Sequence, residues 1–310
     1  MKKLKPFFQE VQAHYDLSDD FYRLFLDSSM TYSCAYFQDA DTTLEEAQTA
    51  KIDLSLGKCR LEPGLRLLDI GCGWGATALR AAERNNVHVI GLTLSRNQYS
   101  HCNRLAAGRS NVEFRLQGWE EFDEPVDRIV SIGAFEHFRI ERYGAFFQRC
   151  RKILPHDGWL LLHSIVQGTA ETIQSGLPEF DFDLVQFMKF VQKRIFPGGQ
   201  IPPPRIVLES AQANGFEVVH VESLRPHYAR TLDLWAAQLK GRSQEAISLT
   251  SPDVYDDYMR YLTGCAHYFR TGHCDEPAGR HERAGAKGER LRGGQTCRLP
   301  VGIVADSFDA

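Results

Sequence analysis

A doubly wound α/β domain is the fold this sequence predicts, and three features predict it. Short apolar runs alternate with helix-forming segments, a glycine turn joins the first such pair, and a long aromatic excursion interrupts the series near its end. The 310 residues suffice for one large domain or two small ones with a substantial core. The first apolar run holds Leu65, Leu67, Leu68 and Ile70, and within it Asp69 stands where a carboxylate can meet the following loop. Gly71, Gly73 and Gly75 then permit positive φ and close backbone approach. Residues 76–83 form helix readily, with their first amides pointing back toward the turn.

The alternation continues with a strand at 87–92, a helix at 95–107 with Ser95 as its N-cap, and a strand at 112–116. A strand at 126–132, a helix at 140–154 and a strand at 159–165 come next, the last entered through the Pro-His-Asp-Gly turn at 155–158. Between 165 and 216 the chain departs from the pattern. The segment FDFDLVQFMKFVQKRIF carries Phe180, Phe182, Phe187, Phe190 and Phe196, which suits an apolar lid or an amphipathic helix packed in a core, and spacing alone favours the core helix. Pro202 to Pro204 lead into a helix, 215–223 reads as a strand, and 231–240 and 254–269 read as helices. Residues 276–298 are dense in Gly, Arg, Glu and Ala with almost no large apolar side chains, so disorder is expected there, with a short strand at 299–304.

A glycine turn of this kind serves dinucleotides as well as other nucleotide cofactors. Here the spacing is GCGWG without the later glycine of the dinucleotide fingerprint, and Cys72 and bulky Trp74 stand between the glycines. A cofactor with no pyrophosphate to cradle fits better, and S-adenosyl-L-methionine meets that description. The net charge of -4 argues against nucleic acid as a partner. Eight cysteines without a CxxC pair or metal-ligand spacing argue for reduced thiols, no metal and a cytoplasmic protein. The basic start is broken by Pro6, Gln9, Glu10, Gln12 and His14 before any signal-peptide segment forms, and no apolar run approaches the roughly 20 residues of a membrane span.

The segments QAHYDLSDDFYRLFLD, MTYSCAYF, TLEEAQTAK, LLDIGCGWG, VIGLTLSRNQ, VDRIVSIGAFEHF, IFPGG and YLTGC together resemble the mycolic acid cyclopropane synthases, from about residue 4 to 272. The resemblance implies a class I methyltransferase (Rossmann-like) sheet within a single domain of 1–273. That domain would comprise an N-terminal helical cover (1–58), a cofactor core (59–166), an inserted helical lid over an acyl tunnel (167–204) and a C-terminal part (205–273). It also implies that Tyr32, Ser33, Gly71 to Gly75, Thr93, Leu94, Ser95, Gln98, Trp119 and Glu120 contact S-adenosyl-L-methionine. Trp119 offers a flat face to adenine, and Glu120 accepts from its amino group. Where methyltransferases commonly place a ribose-binding carboxylate, this chain has Thr93 and Leu94, as the family does.

An isolated cis double bond is a poor nucleophile, so only an activated methyl held in line with it in a dry site will transfer, leaving a carbocation. Cyclopropane synthases of the family hold a bicarbonate ion as the base. The matching positions are Cys34, Glu136, His163 and Tyr228, with backbone from 132–134. Relatives that make hydroxylated chains carry Glu in place of Gly133 and Gln in place of His163, and methyl-branching relatives alter the EHF that here is Glu136, His137 and Phe138. Cys265, in YLTGC, matches a cysteine given an active role in related fatty-acid enzymes, although sulfonium-to-alkene transfer needs no thiolate and a small buried packing residue is the other reading. The expected substrate is a long-chain unsaturated acyl group, presented by an acyl carrier protein or at a membrane surface. The alternatives are a lipid C-methyltransferase giving a branched or hydroxylated chain, or an inactive cofactor- or lipid-binding relative. The last arises because the family closes with a short antiparallel strand, and nothing from Cys274 onward resembles it. Its loss would leave a sheet edge open.

Overall fold

The computed structural model describes residues 4–7, 17–166, 182–271 and 297–305. Seven strands form one sheet: β1 (Arg66–Ile70), β2 (His88–Thr93), β3 (Val112–Leu116), β4 (Arg128–Ile132), β5 (Trp159–Val166), β6 (Phe216–Glu222) and β7 (Cys297–Ala305). Their order is β3-β2-β1-β4-β5-β7-β6, and every neighbouring pair is parallel. Successive residues of the central strands enter two different cores. Leu68, Ile90 and Ile129 pack on one face, and Leu67, Val89 and Val130 on the other. Burial on both faces explains why these segments read as continuous apolar runs rather than alternating ones.

Helices α1 (Asp19–Tyr22) and α2 (Leu44–Lys58) precede the sheet, and α3 (Ala76–Asn85), α4 (Arg96–Leu105) and α5 (Tyr143–Ile153) connect its strands. Thr43 and Glu46 close a capping box at the start of α2, while Ser95 accepts from Gln98 N as the N-cap of α4. The helix expected from residue 140 begins as a short 3-10 turn, Ile140–Arg142. Between β5 and β6 lie α6 (Phe182–Arg194) and α7 (Pro204–Ala213), and α8 (Arg225–Gly241), α9 (Ser243–Leu249) and α10 (Pro252–Thr271) come after β6. The α8 helix starts six residues before the apolar signal because Pro226 sits in its first turn, where a missing N–H breaks no helical bond. A third core joins α1, α8 and α10 around Phe25, Leu232, Trp235 and Leu262.

The far end of the chain corrects one expectation. The slot between β5 and β6 is occupied: β7 pairs Ile165 with Val304 on one side and Phe216 with Cys297 on the other. The strand expected at 299–304 is therefore present and longer, part of the stretch expected to be disordered is strand, and the sheet is not left open. It runs parallel, unlike the antiparallel strand that the resemblance implies. Pro300 cannot donate to a ladder, and it sits where the β6–β7 register shifts between Val218 and His220. Phe180, 272–296 and 306–310 lie outside the described residues.

Ending the chain after residue 296 removes both ladders of β7 and leaves β5 and β6 with unpaired backbone. A fall in Tm of about 10 °C or more is expected in thermal unfolding, corresponding to several kcal/mol. An unchanged Tm would show that β7 contributes nothing to the sheet.

Candidate active site

The sheet order reverses between β1 and β4, the place where open α/β sheets bind ligands beyond their strand ends. The turn after β1 is pinned to β2, with Gly71 N and Cys72 N both donating to Leu92 O at 2.9 Å. Gly71 has φ +78, and a Cβ there would lie 2.3 Å from Cβ of Ala134, so the loops after β1 and β4 touch only because this residue is glycine. Gly75 is glycine for packing: a Cβ would press on Phe114 and Cys102.

Two cavities adjoin this turn and a third lies next to them, and Gly133 lines all three. The first lies over Thr93, Leu94, Gln98, Trp119 and Glu120, with Gly71 and Gly73. Thr93 Oγ1 donates to Gln98 Oε1 at 2.7 Å, which leaves the Gln98 amide nitrogen as the donor. Glu120 Oε1 meets Arg142 Nη1 at 3.2 Å, while its buried Oε2 has no partner, and burial holds this carboxyl above the usual range. Trp119 is buried with its ring edge-on to Phe146.

The second cavity is lined by Tyr32, Ser33, Lys51, Asp69, Cys72 and Trp74, with Gly71, Gly73 and Gln98 shared. Asp69 Oδ2 is buried without a partner, and desolvation pushes its carboxyl up to about 7 despite the nearby Lys51. Trp74 Nε1 donates to Asp19 Oδ1 at 3.0 Å, and its ring packs on Tyr22, tying the N-terminal segment to the glycine turn.

The third cavity brings together Cys34, Glu136, His163, Tyr228 and Cys265, with Tyr32 and Ser33 from the second. Glu136 Oε1 accepts from Ile165 N at 2.6 Å, its Oε2 is buried without a partner, and burial raises its pKa. Burial, helped by Lys51 and Lys58, pushes His163 down to about 3, and burial holds the Tyr228 phenol well above its ordinary value. Burial thus disfavours the charged form of all three, and His163 and Tyr228 are neutral near pH 7. The Cys34 thiol is turned to the backbone carbonyls of Ala35 and Leu224. Much of the remaining wall is apolar, from Phe187, Met188 and Val191 of α6 to Leu232 and Phe269, and His137, Gln192 and Gln200 add polar side chains to it. Phe187 belongs at once to the buried core and to this wall, so core packing and cavity lining coexist on α6. Gly264 of α10 makes that packing possible, since a Cβ there would lie 2.2 Å from the Phe187 ring.

Two expected cofactor residues line none of these cavities. Ser95 is turned to capping α4, and Gly75 to packing α3 on β3. Sequence reasoning missed Phe7, which lines the first cavity under the Arg142 guanidinium at 3.7 Å, and Lys51 in the second. Phe7 carries no sequence signal. Lys51 does: with Gln48 and Ser55 it makes a polar row at helical spacing on the buried side of α2.

The profile of the mycolic acid cyclopropane synthetase family matches residues 2–276. The chain belongs to that family. Within it, the chain is 57% identical over 277 residues to cyclopropane mycolic acid synthase 1 of Mycobacterium tuberculosis, covering 88% of this chain and 96% of that protein. The solved structure of the cyclopropane synthase MmaA2 from Mycobacterium tuberculosis superposes with a TM-score of 0.85 at 55% identity, covering 88% of this chain and 96% of that one. The mycolic acid cyclopropane synthase CmaA1, solved in complex with SAH and CTAB, superposes with a TM-score of 0.82 at 55% identity over the same shares. The family's class I methyltransferase fold also appears in coclaurine N-methyltransferase, with a TM-score of 0.70 at 24% identity. This enzyme class, the S-adenosyl-L-methionine-dependent C-methyltransferases of the cyclopropane-fatty-acyl synthase type, is the one expected from the motifs.

Packing and charge in this site each give an expected outcome. Gly264→Ala must drive the Phe187 ring toward the cavity, and a loss of about 1–3 kcal/mol in denaturant unfolding is expected. His163 has an ordinary value of 6.5 and about 3 in the fold, so the unfolded chain binds a proton that the folded one refuses. The stability this group contributes is complete above pH 6.5 and lost as pH falls toward 3. His163→Gln should flatten the slope of stability against pH in that window, and an unaltered slope would contradict a buried neutral imidazole.

Proposed function

We propose that this protein is an S-adenosyl-L-methionine-dependent cyclopropane synthase acting on a cis double bond of a long, mycolic-type acyl chain. One observation carries the reading: Glu136, His163 and Tyr228 converge with Cys34 on an apolar cavity that shares Gly133 with the two cavities at the glycine turn. The residues present fit the cofactor. Buried Glu120 Oε2 and Asp69 Oδ2, both without donors, suit the adenine amino group and the methionyl ammonium, and Trp119 suits the adenine face. They also fit bicarbonate, because neutral His163 and neutral Tyr228 are hydrogen-bond donors toward an oxyanion, with Glu136 beside them. When bound, S-adenosyl-L-methionine supplies a sulfonium methyl, and bicarbonate supplies a base.

The chain's own residues decide the fate of the cation once the methyl has transferred. Phe187, Met188, Val191 and Leu232 exclude water, which would otherwise capture it as an alcohol. Ring closure instead needs a proton to leave the transferred carbon. Glu136, held through Oε1 by Ile165 N with Oε2 unengaged, is the group placed to hold or pass it. Gly133 keeps the junction of the cavities open, and only Ser33 Cβ and Tyr32 O come within 4 Å of a Cβ built there.

Cys265 completes the wall between Tyr261 and Phe269 as a packing residue. The excursion containing α6 acts as the lid of an acyl tunnel (167–204), over a cofactor core (59–166) covered by 1–58, with 205–273 completing the domain. An acyl carrier protein or a membrane surface presents the chain. Among the described residues no helix is long and apolar enough to cross a membrane. Buried thiols without disulfides at Cys34, Cys59, Cys72, Cys102, Cys150 and Cys265 support a cytoplasmic setting.

Incubation with methyl-labelled cofactor and an unsaturated acyl substrate should add one CH2 unit with loss of the alkene, read by mass spectrometry. An added methyl with a hydroxyl or a branch would establish the alternative C-methyltransferase, and cofactor binding without product would establish an inactive relative. Glu136→Gln should lower kcat by about 100-fold or more while leaving S-adenosylhomocysteine binding intact. Gly133→Glu, which brings a carboxylate and water into the junction, should cut ring formation and raise the hydroxylated fraction.

A further inference from the structure

Lys51 is 1% exposed, on a helix whose other polar face is in solvent. A buried ammonium is costly unless a charge or a set of acceptors meets it. Among the described residues its only hydrogen bond is from Nζ to Ser33 Oγ, at 2.8 Å, and no carboxylate is in ion-pair contact with it. Two of its three donors are thus uncommitted. Holding the Thr31–Ser33 segment does not require it, since Gln48 Nε2 already donates to Thr31 O and Ser33 O. Nor does Lys51 lie in an apolar core: it lines the cavity beside the glycine turn, where it is the cation and Asp69 the anion among the described wall residues. Ala76 and Thr77 of that wall open α3, whose first amides and dipole also favour negative charge. The cavity therefore has an anion-binding side and a cation-binding side.

We propose that Lys51 binds the α-carboxylate of the cofactor's methionyl tail, opposite Asp69, so that helix α2 selects the amino-acid end of the cofactor. The assignment rests on the reading of this cavity as the methionyl end of an S-adenosyl-L-methionine site. Burial holds the free ammonium down to about 8 and the Asp69 carboxyl up to about 7, the state of two charges waiting for partners. A zwitterion meets both at once. Lys51 is a binding residue in this account, and a nucleoside thioether with the amine but no carboxylate has nothing to offer it.

Calorimetric titration with S-adenosylhomocysteine and with its decarboxylated analogue, which keeps the amine, tests this on the full chain. The wild type should bind S-adenosylhomocysteine at least about 30-fold more tightly than the analogue, the loss typical of one partner of a buried charge pair. Lys51→Met should erase that preference, weakening S-adenosylhomocysteine while leaving the analogue within about 3-fold. It should also leave the ligand-free Tm unchanged or higher, because an unpaired buried charge has been replaced by an apolar chain of similar length. Equal affinity of the wild type for the two ligands overturns the proposal, as does an equal loss of both in Lys51→Met. Should that variant not fold, a buried structural lysine is indicated and the proposal fails, unless Lys51→Gln folds and shows the same loss of preference. Failure of the wild type to bind S-adenosylhomocysteine at all would instead sink the underlying cofactor reading.

Discussion

The approach of two loops, one ending β1 at Gly71 and one ending β4 at Gly133 and Ala134, determines where everything else in the site lies. There is room for no side chain between them at Gly71, which lines two of the cavities, while Gly133 lines all three. The parallel pairing of β1 with β4 holds the loops in register, and Ser131 Oγ donates to Ile70 O across the same junction. Rigid strands thus carry the reacting end of the site, while helices before and after the sheet supply its roof. A roof built from α1, α2, α8 and α10 is held by aromatic packing around Trp235, Tyr22 and Phe25 rather than by hydrogen-bond ladders, so it tolerates an apolar cavity within it.

Features governed by local chemistry were legible in the sequence. The apolar runs of the parallel sheet, the glycine turn and the Ser95 cap each depend on a few adjacent residues, and each is found where the pattern places it. The convergence of Cys34, Glu136, His163 and Tyr228 was legible only through the family resemblance, because four different elements deliver them. What stayed hidden depends on partners distant in the chain. Trp74, between glycines, lines the second cavity as expected of its position, but the bond from its indole nitrogen to Asp19 is invisible in the local pattern. Ser95 is near the cofactor cavities in sequence, but its hydroxyl turns into α4.

Lys51 shows the same limit from the other side. Polar residues at helical spacing normally mark the solvent face, and Gln48, Lys51 and Ser55 form such a row on the buried side of α2 instead. Lys51 meets a polar cavity and Gln48 the carbonyls of Thr31 and Ser33, while Leu44, Ala47, Ile52 and Leu56 of the same helix enter apolar cores. Desolvation then reshapes the local electrostatics, depressing the ammonium, raising Asp69 and, with Lys58, helping to keep His163 neutral.

The position of β7 has a consequence for how the chain reaches this structure. It pairs on both sides with strands far earlier in the chain, so its ladders carry long loop-closure entropy, whereas β2 pairs with β1 and β3, its neighbours in sequence. The cofactor half of the sheet can therefore assemble during synthesis while β5 and β6 still show open edges toward each other. Until the last strand slides in, a nascent chain presents a ready template to a second chain, which makes slow completion of the sheet the step most exposed to misassembly and to chaperone capture.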